Sequence, residues 1–418
     1  MVLKKITKAI IRYEMNKNFK HLALKRKFFY PLAEPTYNEK EVVSALNSMT
    51  AFSTTMWDKV REFEKLFGEK YGGEAIMVNS GSSADLLISF AISEKSGGPL
   101  PFGSEILVPS MTWPTHLWSL IMAGFKVKLI DIDPKTLNFN LDDLKNSITK
   151  DTRAIFVVHL LGNMGDMSSL TKICKEKNLI LLEDCCESLG SKFDGQYSGT
   201  FGLASSFSFF FSHHLVTMEG GMILTTDKEF ADRCRLLRAH GWARNTMSSS
   251  TGSNSELDSR YEFVSWGFNL RPTELQAGFG IEQIKKIDTY QIARDQNATS
   301  LVECIDRNGK FLSTMQISKN VKCSWFAFPI IVNKEAPFSR TELANFMEKN
   351  GIETRPVVAG NLAKQPAIKK YPEIYFESLA GADFIHEQGL YIGIHPTTGQ
   401  NNLNKVIKFL DNFCEQWF

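Results

Sequence analysis

No stretch of eighteen or more consecutive apolar residues occurs in the 418-residue chain, so the sequence predicts no membrane-spanning helix. A surplus of one charge is also missing. The 48 Lys and Arg nearly balance the 46 Asp and Glu, for a formal net charge of +2, and nothing global points to nucleic acid. Seven cysteines, at 174, 185, 186, 234, 304, 323 and 414, never fall in a CxxC spacing or beside histidines at metal-ligand spacing. That argues against a zinc or iron–sulfur centre, and no metal is expected. Free thiols suit a reducing compartment, which makes the cytoplasm the expected location. There is no internal repeat, and the only biased tract is a small polar loop, Thr246–Ser255, which reads as flexible.

What is present is enough apolar residue, 43% of the chain, for one large core and a second smaller one. The first 27 residues stand apart, with nine Lys and Arg against the single acid Glu14, while Ile6, Ile10, Ile11 and Tyr13 recur at roughly helical spacing. This segment, 1–28, reads as a basic extension. Resting on an anionic membrane surface is the sharper expectation, and packing as a solvated helix on a neighbouring subunit is the preferred one.

Beyond the extension, buried strand-like runs alternate with helical stretches. Ala75–Val78, Glu105–Pro109, Val127–Ile132, Ala154–Val158, Ile180–Glu183, Ser206–Phe210 and Met222–Thr225 read as strands. The alternation predicts an α/β fold with a mostly parallel sheet covered on both faces. A long helical stretch from Thr273 to about Glu303 then leads into a strand-like run, Val321–Val332, and an α/β C-terminal section. The expected division is a large domain over 29–285 and a small one over 286–418.

Four groups of residues have chemistry to offer. Asn79-Ser80-Gly81-Ser82-Ser83-Ala84 opens a helix, and such a turn presents free N–H groups to an anion, although a plain serine cap reads the same way. Glu183-Asp184 ends a buried strand, where open α/β sheets bind ligands; a structural cap is the alternative. Ser212-His213-His214 follows the next strand, leaving metal ligation, acid–base work and ordinary loop residues all open. Trp113, just past Val108-Pro109, suits either the core or stacking on a flat ring.

Taken in order, these pieces resemble the DegT-like sugar aminotransferases, pyridoxal-phosphate enzymes of fold type I. The likeness runs over about residues 30–415. Its carriers include Tyr30-Pro31-Leu32-Ala33, Asn79 to Ala84, Glu183-Asp184, Ser206 to Phe209, Glu219-Gly220-Gly221 and Gly267-Phe268-Asn269-Leu270-Arg271-Pro272-Thr273-Glu274-Leu275-Gln276-Ala277. The fold implied is a seven-stranded-type sheet between helices with a smaller C-terminal α/β domain. The cofactor implied is pyridoxal 5′-phosphate (PLP), alternating with pyridoxamine 5′-phosphate. By the same resemblance Asp184 pairs with the pyridinium nitrogen, Gly81, Ser82, Ser83 and Ser208 hold the phosphate, and Trp113 stacks on the ring. Glu187 stands where relatives often have Gln, near the cofactor hydroxyl. Asn269 reaches the phosphate from a second subunit, which implies a homodimer with shared active sites.

One position departs from the aminotransferase pattern. His213 stands where those enzymes carry the lysine that bonds the cofactor, and an imidazole forms no Schiff base with an aldehyde. It does serve as a general base. This substitution resembles a histidine-containing subgroup, the nucleotide-sugar 4-keto-6-deoxyhexose 3-dehydratases of 3,6-dideoxyhexose and surface-polysaccharide synthesis. Arg355, Gly360-Asn361 and His386 to Gly393 agree with it. One branch of the subgroup carries a cysteine-rich iron–sulfur insertion before the Gly-Phe-Asn motif. Residues Ala243 to Ser265 contain no cysteine, so no iron–sulfur reductase partner is expected. The implied reaction takes its amino group from glutamate, uses His213 as base with Asp184 supporting the ring, and releases ammonia. GDP is the preferred nucleotide, with CDP and dTDP open. Arg355, Arg271 and His214 are the expected substrate contacts, His214 in a positioning or sugar-binding role. Two alternatives stand beside this reading. One is an aminotransferase with a relocated lysine, Lys192 being nearest in sequence. The other is an inactive relative that serves as a binding protein.

Overall fold

The computed structural model describes residues 2–243 and 261–417. The expected polar loop Thr246–Ser255 lies outside the described residues. The extension forms α1 (Val2–Lys25), and α2 (Glu39–Thr50) and α3 (Asp58–Tyr71) follow it. Arg12 and Lys8 of α1 pair with Glu39 at the start of α2, so the extension lies against its own chain. Among the described residues, no helix is long and apolar enough to cross a membrane.

The sheet begins with β1 (Glu74–Val78), α4 (Gly81–Ile92), β2 (Glu105–Pro109), α5 (Thr115–Ala123) and β3 (Lys126–Ile130). It continues with α6 (Leu141–Ser147), β4 (Thr152–Val158), α7 (Met167–Lys177) and β5 (Ile180–Asp184). Two short strands, β6 (Lys192–Phe193) and β7 (Gln196–Tyr197), precede β8 (Ala204–Ser208), β9 (Gly221–Thr225) and α8 (Lys228–Arg238). The strand order is β1-β9-β8-β5-β4-β2-β3, with β9 antiparallel to both neighbours and the other pairings parallel. Side chains alternate between faces along each strand. Ile76 and Val78 of β1 enter one core while Ala75 and Met77 enter another, and Ile223 of β9 separates from Met222 and Leu224 in the same way. Both faces are therefore covered, which is why these strands read as continuous apolar runs.

The C-terminal part contains α9 (Glu274–Gln283), α10 (Ile287–Arg307), β10 (Leu312–Ser313), β11 (Val321–Lys322), β12 (Ala327–Val332) and α11 (Arg340–Lys349). After them come β13 (Thr354–Pro356), β14 (Ile374–Phe376), α12 (Ala380–Gln388), β15 (Gly389–Gly393) and α13 (Gln400–Glu415). Strands β10-β12-β15-β13 make a small antiparallel sheet. Strand β14 leaves it and pairs with the edge strand β3, so the large sheet has eight strands where seven were expected.

Two further expectations need correction. The helical stretch expected from Thr273 to about Glu303 is two helices, parted between α9 and α10 where Gln283 and Lys286 turn toward Glu41; Gln283 Nε2 donates to Glu41 Oε1 at 2.7 Å and to Thr36 O at 3.2 Å. The run Val321–Val332 is two strands, because Trp325 adopts a left-handed φ of 49° and turns the chain from β11, which pairs with β6, into β12. Periodicity sees neither break, since both are set by distant partners. Strand ends also shift, with Ser206–Phe210 found at Ala204–Ser208 and Val127–Ile132 at Lys126–Ile130.

Candidate active site

The carboxyl ends of β4, β5 and β8 and the start of α4 surround a cavity of about 400 Å³. Gly81, Ser82, Trp113, Asp184, Glu187, Ser208 and His213, predicted from distant parts of the sequence, all line it. Ser80 caps α4 by accepting the Ser83 N–H at 3.1 Å, which leaves the N–H groups of the first helical turn directed at the cavity end of the helix. Gly81 lies so close to β8 that a Cβ there would meet Ser208 Cβ at 2.6 Å and Oγ at 3.1 Å. Gly221 is pressed onto the Ser80 carbonyl in the same way, and Gly220 onto the Thr217 hydroxyl, which together account for the glycine pair after Glu219.

Asp184 is buried at the end of β5, and its Oδ1 accepts the Cys186 N–H at 2.7 Å. Its Oδ2 lies 2.8 Å from His116 Nε2, which is also 3.8 Å from Asp85 Oδ2. Burial works to push the Asp184 carboxyl up, but the His116 charge and hydrogen bond, with Cys186, hold it below its ordinary value. Burial disfavours a charge on His116 as well, yet the two carboxylates raise it to about 9. Asp85, buried and repelled by Asp184, is pushed up to about 7 against the pull of His116. The result is a charged imidazole locked under an anionic Asp184. Neither His116 nor Asp85 was singled out from the sequence. The available signal was a titratable residue inside each of two largely apolar helices, Gly81–Ile92 and Thr115–Ala123.

Across the cavity, His213 is partly exposed through the opening, and its Nδ1 is buried without a hydrogen-bond partner. The Phe326 ring packs on it edge-on at 5.0 Å and 67°. Desolvation lowers His213 to about 4, with Asp184 opposing and Arg294 adding to the shift. Glu187 accepts the Leu161 N–H at 2.8 Å, and burial pushes its carboxyl up to about 7 despite that bond. Trp113 remains 58% exposed at the cavity edge. From the C-terminal part come three wall residues that sequence reasoning missed, Phe326, Val358 and Tyr391. Their apolar or aromatic character gave no local signal.

The other expected contacts lie elsewhere. Ser83 does not line the cavity; its N–H is taken by the Ser80 cap. His214 turns into the core, with Nε2 3.1 Å from Ser324 O, so the structure gives it no sugar contact in this chain. Asn269 bridges to Ala239 away from the cavity. Arg271 lines a separate groove with Trp57, Arg61 and Arg238. Arg355 pairs with Glu353 at 2.8 Å and sits opposite Tyr391 across β13 and β15, at the rim.

A helix start, a buried carboxylate held below its ordinary value at a strand end and an exposed aromatic line one cavity, an arrangement that suits a phosphorylated, protonated heterocycle. The chain belongs to the DegT/DnrJ/EryC1/StrS aminotransferase family, which matches residues 35–411. Within that family it is 37% identical over 396 residues to the GDP-4-keto-6-deoxy-D-mannose 3-dehydratase of Yersinia pseudotuberculosis, covering 93% of this chain and 98% of that protein. It superimposes with a TM-score of 0.87 on the E. coli GDP-4-keto-6-deoxy-D-mannose-3-dehydratase with bound hydrated PLP, at 35% identity, covering 92% of this chain and 99% of that one. A structure of GDP-4-keto-6-deoxymannose-3-dehydratase with a trapped PLP-glutamate geminal diamine gives a TM-score of 0.85 at 35% identity, over 91% and 100% of the two chains.

Proposed function

We propose that this protein is a PLP-dependent 3-dehydratase of a nucleotide-linked 4-keto-6-deoxyhexose, with GDP as the nucleotide and glutamate as amino donor, in 3,6-dideoxysugar synthesis. The observation that carries the reading is His213, facing Asp184 across a cavity that no lysine lines among the described residues. Lys192, the candidate for a relocated lysine, lies on β6 with its ammonium 4.2 Å from the Tyr197 ring centroid. The ionised Asp184, with His116 beneath it, argues against an inactive binding protein, which has no use for a ring-protonating carboxylate.

The residues present fit the cofactor. Gly81, Ser82 and Ser208 would hold its phosphate, Trp113 would cover its ring, and Asp184 would keep its ring nitrogen protonated. When bound, PLP supplies an electron sink for the pair released as a proton leaves the adjoining carbon. His213 takes that proton. Its imidazole is neutral near pH 7, and a phosphate anion in the same cavity raises its basicity toward the range where proton transfer is efficient. Glu187, with its carboxyl near half-protonated at neutral pH, offers an O–H donor where relatives often carry Gln. Because an imidazole forms no Schiff base, the chain offers no amine to complete ordinary transamination at the sugar. Residues 29–285 are read as the cofactor-binding domain, and 286–418 as the small domain whose Phe326, Val358 and Tyr391 close the cavity. Asn269 and Arg271 are assigned to a homodimer, reaching the active site of the other subunit. Arg355 at the rim is assigned to the sugar nucleotide. All seven cysteines are free, in keeping with a cytoplasmic enzyme.

The test is incubation with PLP, glutamate and GDP-4-keto-6-deoxymannose, with products identified by mass and NMR. Release of ammonia and a 3-deoxy ketosugar is expected. A 4-amino sugar, or no turnover at all, overturns the proposal.

A further inference from the structure

A charge removed from water normally keeps a counter-ion. Arg294, on α10, is 2% exposed and has no carboxylate partner among the described residues; burial alone pulls its guanidinium down to about 10. Its Nη1 instead lies 3.0 Å from Trp325 O, 3.1 Å from Phe326 O and 3.0 Å from Ile394 O. One side chain thereby ties the entry of β12 to the exit of β15.

The tied turn touches both histidines. Phe326 packs on His213 at 5.0 Å and on His214 at 5.7 Å, and Ser324 O is the partner of His214 Nε2. The turn is pinned from its other side as well. The Phe326 N–H donates to Leu161 O at 3.0 Å, and Ser191 Oγ donates to Ser324 Oγ at 2.8 Å. Nothing in the reading of the cofactor site uses Arg294.

We propose that Arg294 is a positioning residue for His213: it clamps the 324–326 turn on which both imidazoles pack and sets an uncompensated positive charge behind them, so that His213 presents a neutral ring to the cavity. This rests on His213 being the base. The ionisable groups sharing the cavity with His213 are Asp184, Asp85, Glu187, Cys186, Glu219 and Tyr391, and His214 adjoins it in the chain. Asp184 favours the imidazolium, and Arg294 with desolvation opposes it. His214 is held well below its ordinary value by burial and by the same arginine.

The experiment is an imidazole nitrogen NMR titration of the full, cofactor-free chain, with His213 assigned through His213→Gln. In the wild type His213 stays neutral at pH 6. In Arg294→Met its protonation moves upward by a measurable fraction of a pH unit. Arg294→Lys keeps the charge but ends one atom short of the Nη1 that reaches the three carbonyls, so the titration stays in place while kcat falls roughly tenfold to a hundredfold, with KM little changed. An imidazolium at pH 6 in the wild type overturns the proposal, as does a folded Arg294→Met with the wild-type titration. If Arg294→Met does not fold, Arg294→Lys decides, and wild-type kcat in that variant overturns the clamp. The titration needs no turnover, so failure of the dehydratase assay and failure of this inference are separately visible.

Discussion

His116 and His213 flank the same carboxylate, one as a cation and the other as a neutral ring. His116 lies beneath Asp184 with Asp85 behind it, and two carboxylates outweigh its burial. His213 faces Asp184 across open cavity, with an arginine and an aromatic ring at its back, and desolvation wins. The intrinsic chemistry of the two side chains is identical, so the neighbours decide. A contact of 2.8 Å between buried charges is worth far more than one across a cavity, and this is how one site holds both a charged and a neutral imidazole.

The contrast breaks most sharply at His213. His213→Lys should lose dehydration by about 10²–10⁴-fold, while borohydride should now fix the cofactor covalently to the chain, read as an added mass. Undiminished dehydration would mean that another group is the base. On the other wall, His116→Gln leaves Asp85 and Asp184 facing each other without a cation. A loss of about 3–5 kcal/mol is expected in denaturant unfolding of the cofactor-free protein; a change under 1 kcal/mol would show that the imidazole carries no charge there.

The pH dependence of stability separates the two histidines by sign. His116 has its folded value raised from 6.5 to about 9, so its stabilisation is fully present below pH 6.5 and is lost as the pH climbs toward 9. His213 has its folded value lowered from 6.5 to about 4, so its contribution is intact above pH 6.5 and is lost as the pH falls toward 4. Melting curves across both windows should show His116→Gln flattening the alkaline slope and His213→Gln the acid one. The same slopes in variant and wild type would refute the assignment. The smallest effect is expected at the phosphate end. Gly81→Ala puts a methyl against Ser208 and should weaken PLP binding about tenfold by fluorescence titration, leaving both histidine titrations unchanged.

Much of this was legible in the chain. Asp184, Ser208 and Gly81 end or follow apolar strands, and a strand end is a local signal; His213 stood out as one of a histidine pair after a strand, but only the resemblance marks it as a replaced lysine. Asp85 and His116 were written as isolated polar residues in apolar helices, yet nothing local says that they meet. The Cys323–Phe326 turn was read through as strand, because its φ reversal at Trp325 and its clamp from Arg294 depend on a helix some thirty residues earlier. Residues 244–260 contributed composition only.

The sequence by itself determined the alternating strands and helices, the glycine that lets α4 approach β8, the carboxylate at the end of β5 and the absence of lysine at position 213. These follow from side-chain period, size and chemical type, all properties of neighbours along the chain. Only the tertiary structure decided the charges. Whether an imidazole is held protonated or neutral depends on which carboxylates, arginines and apolar walls are folded around it, and those come from α4, α5, β5, α10 and the turn before β12.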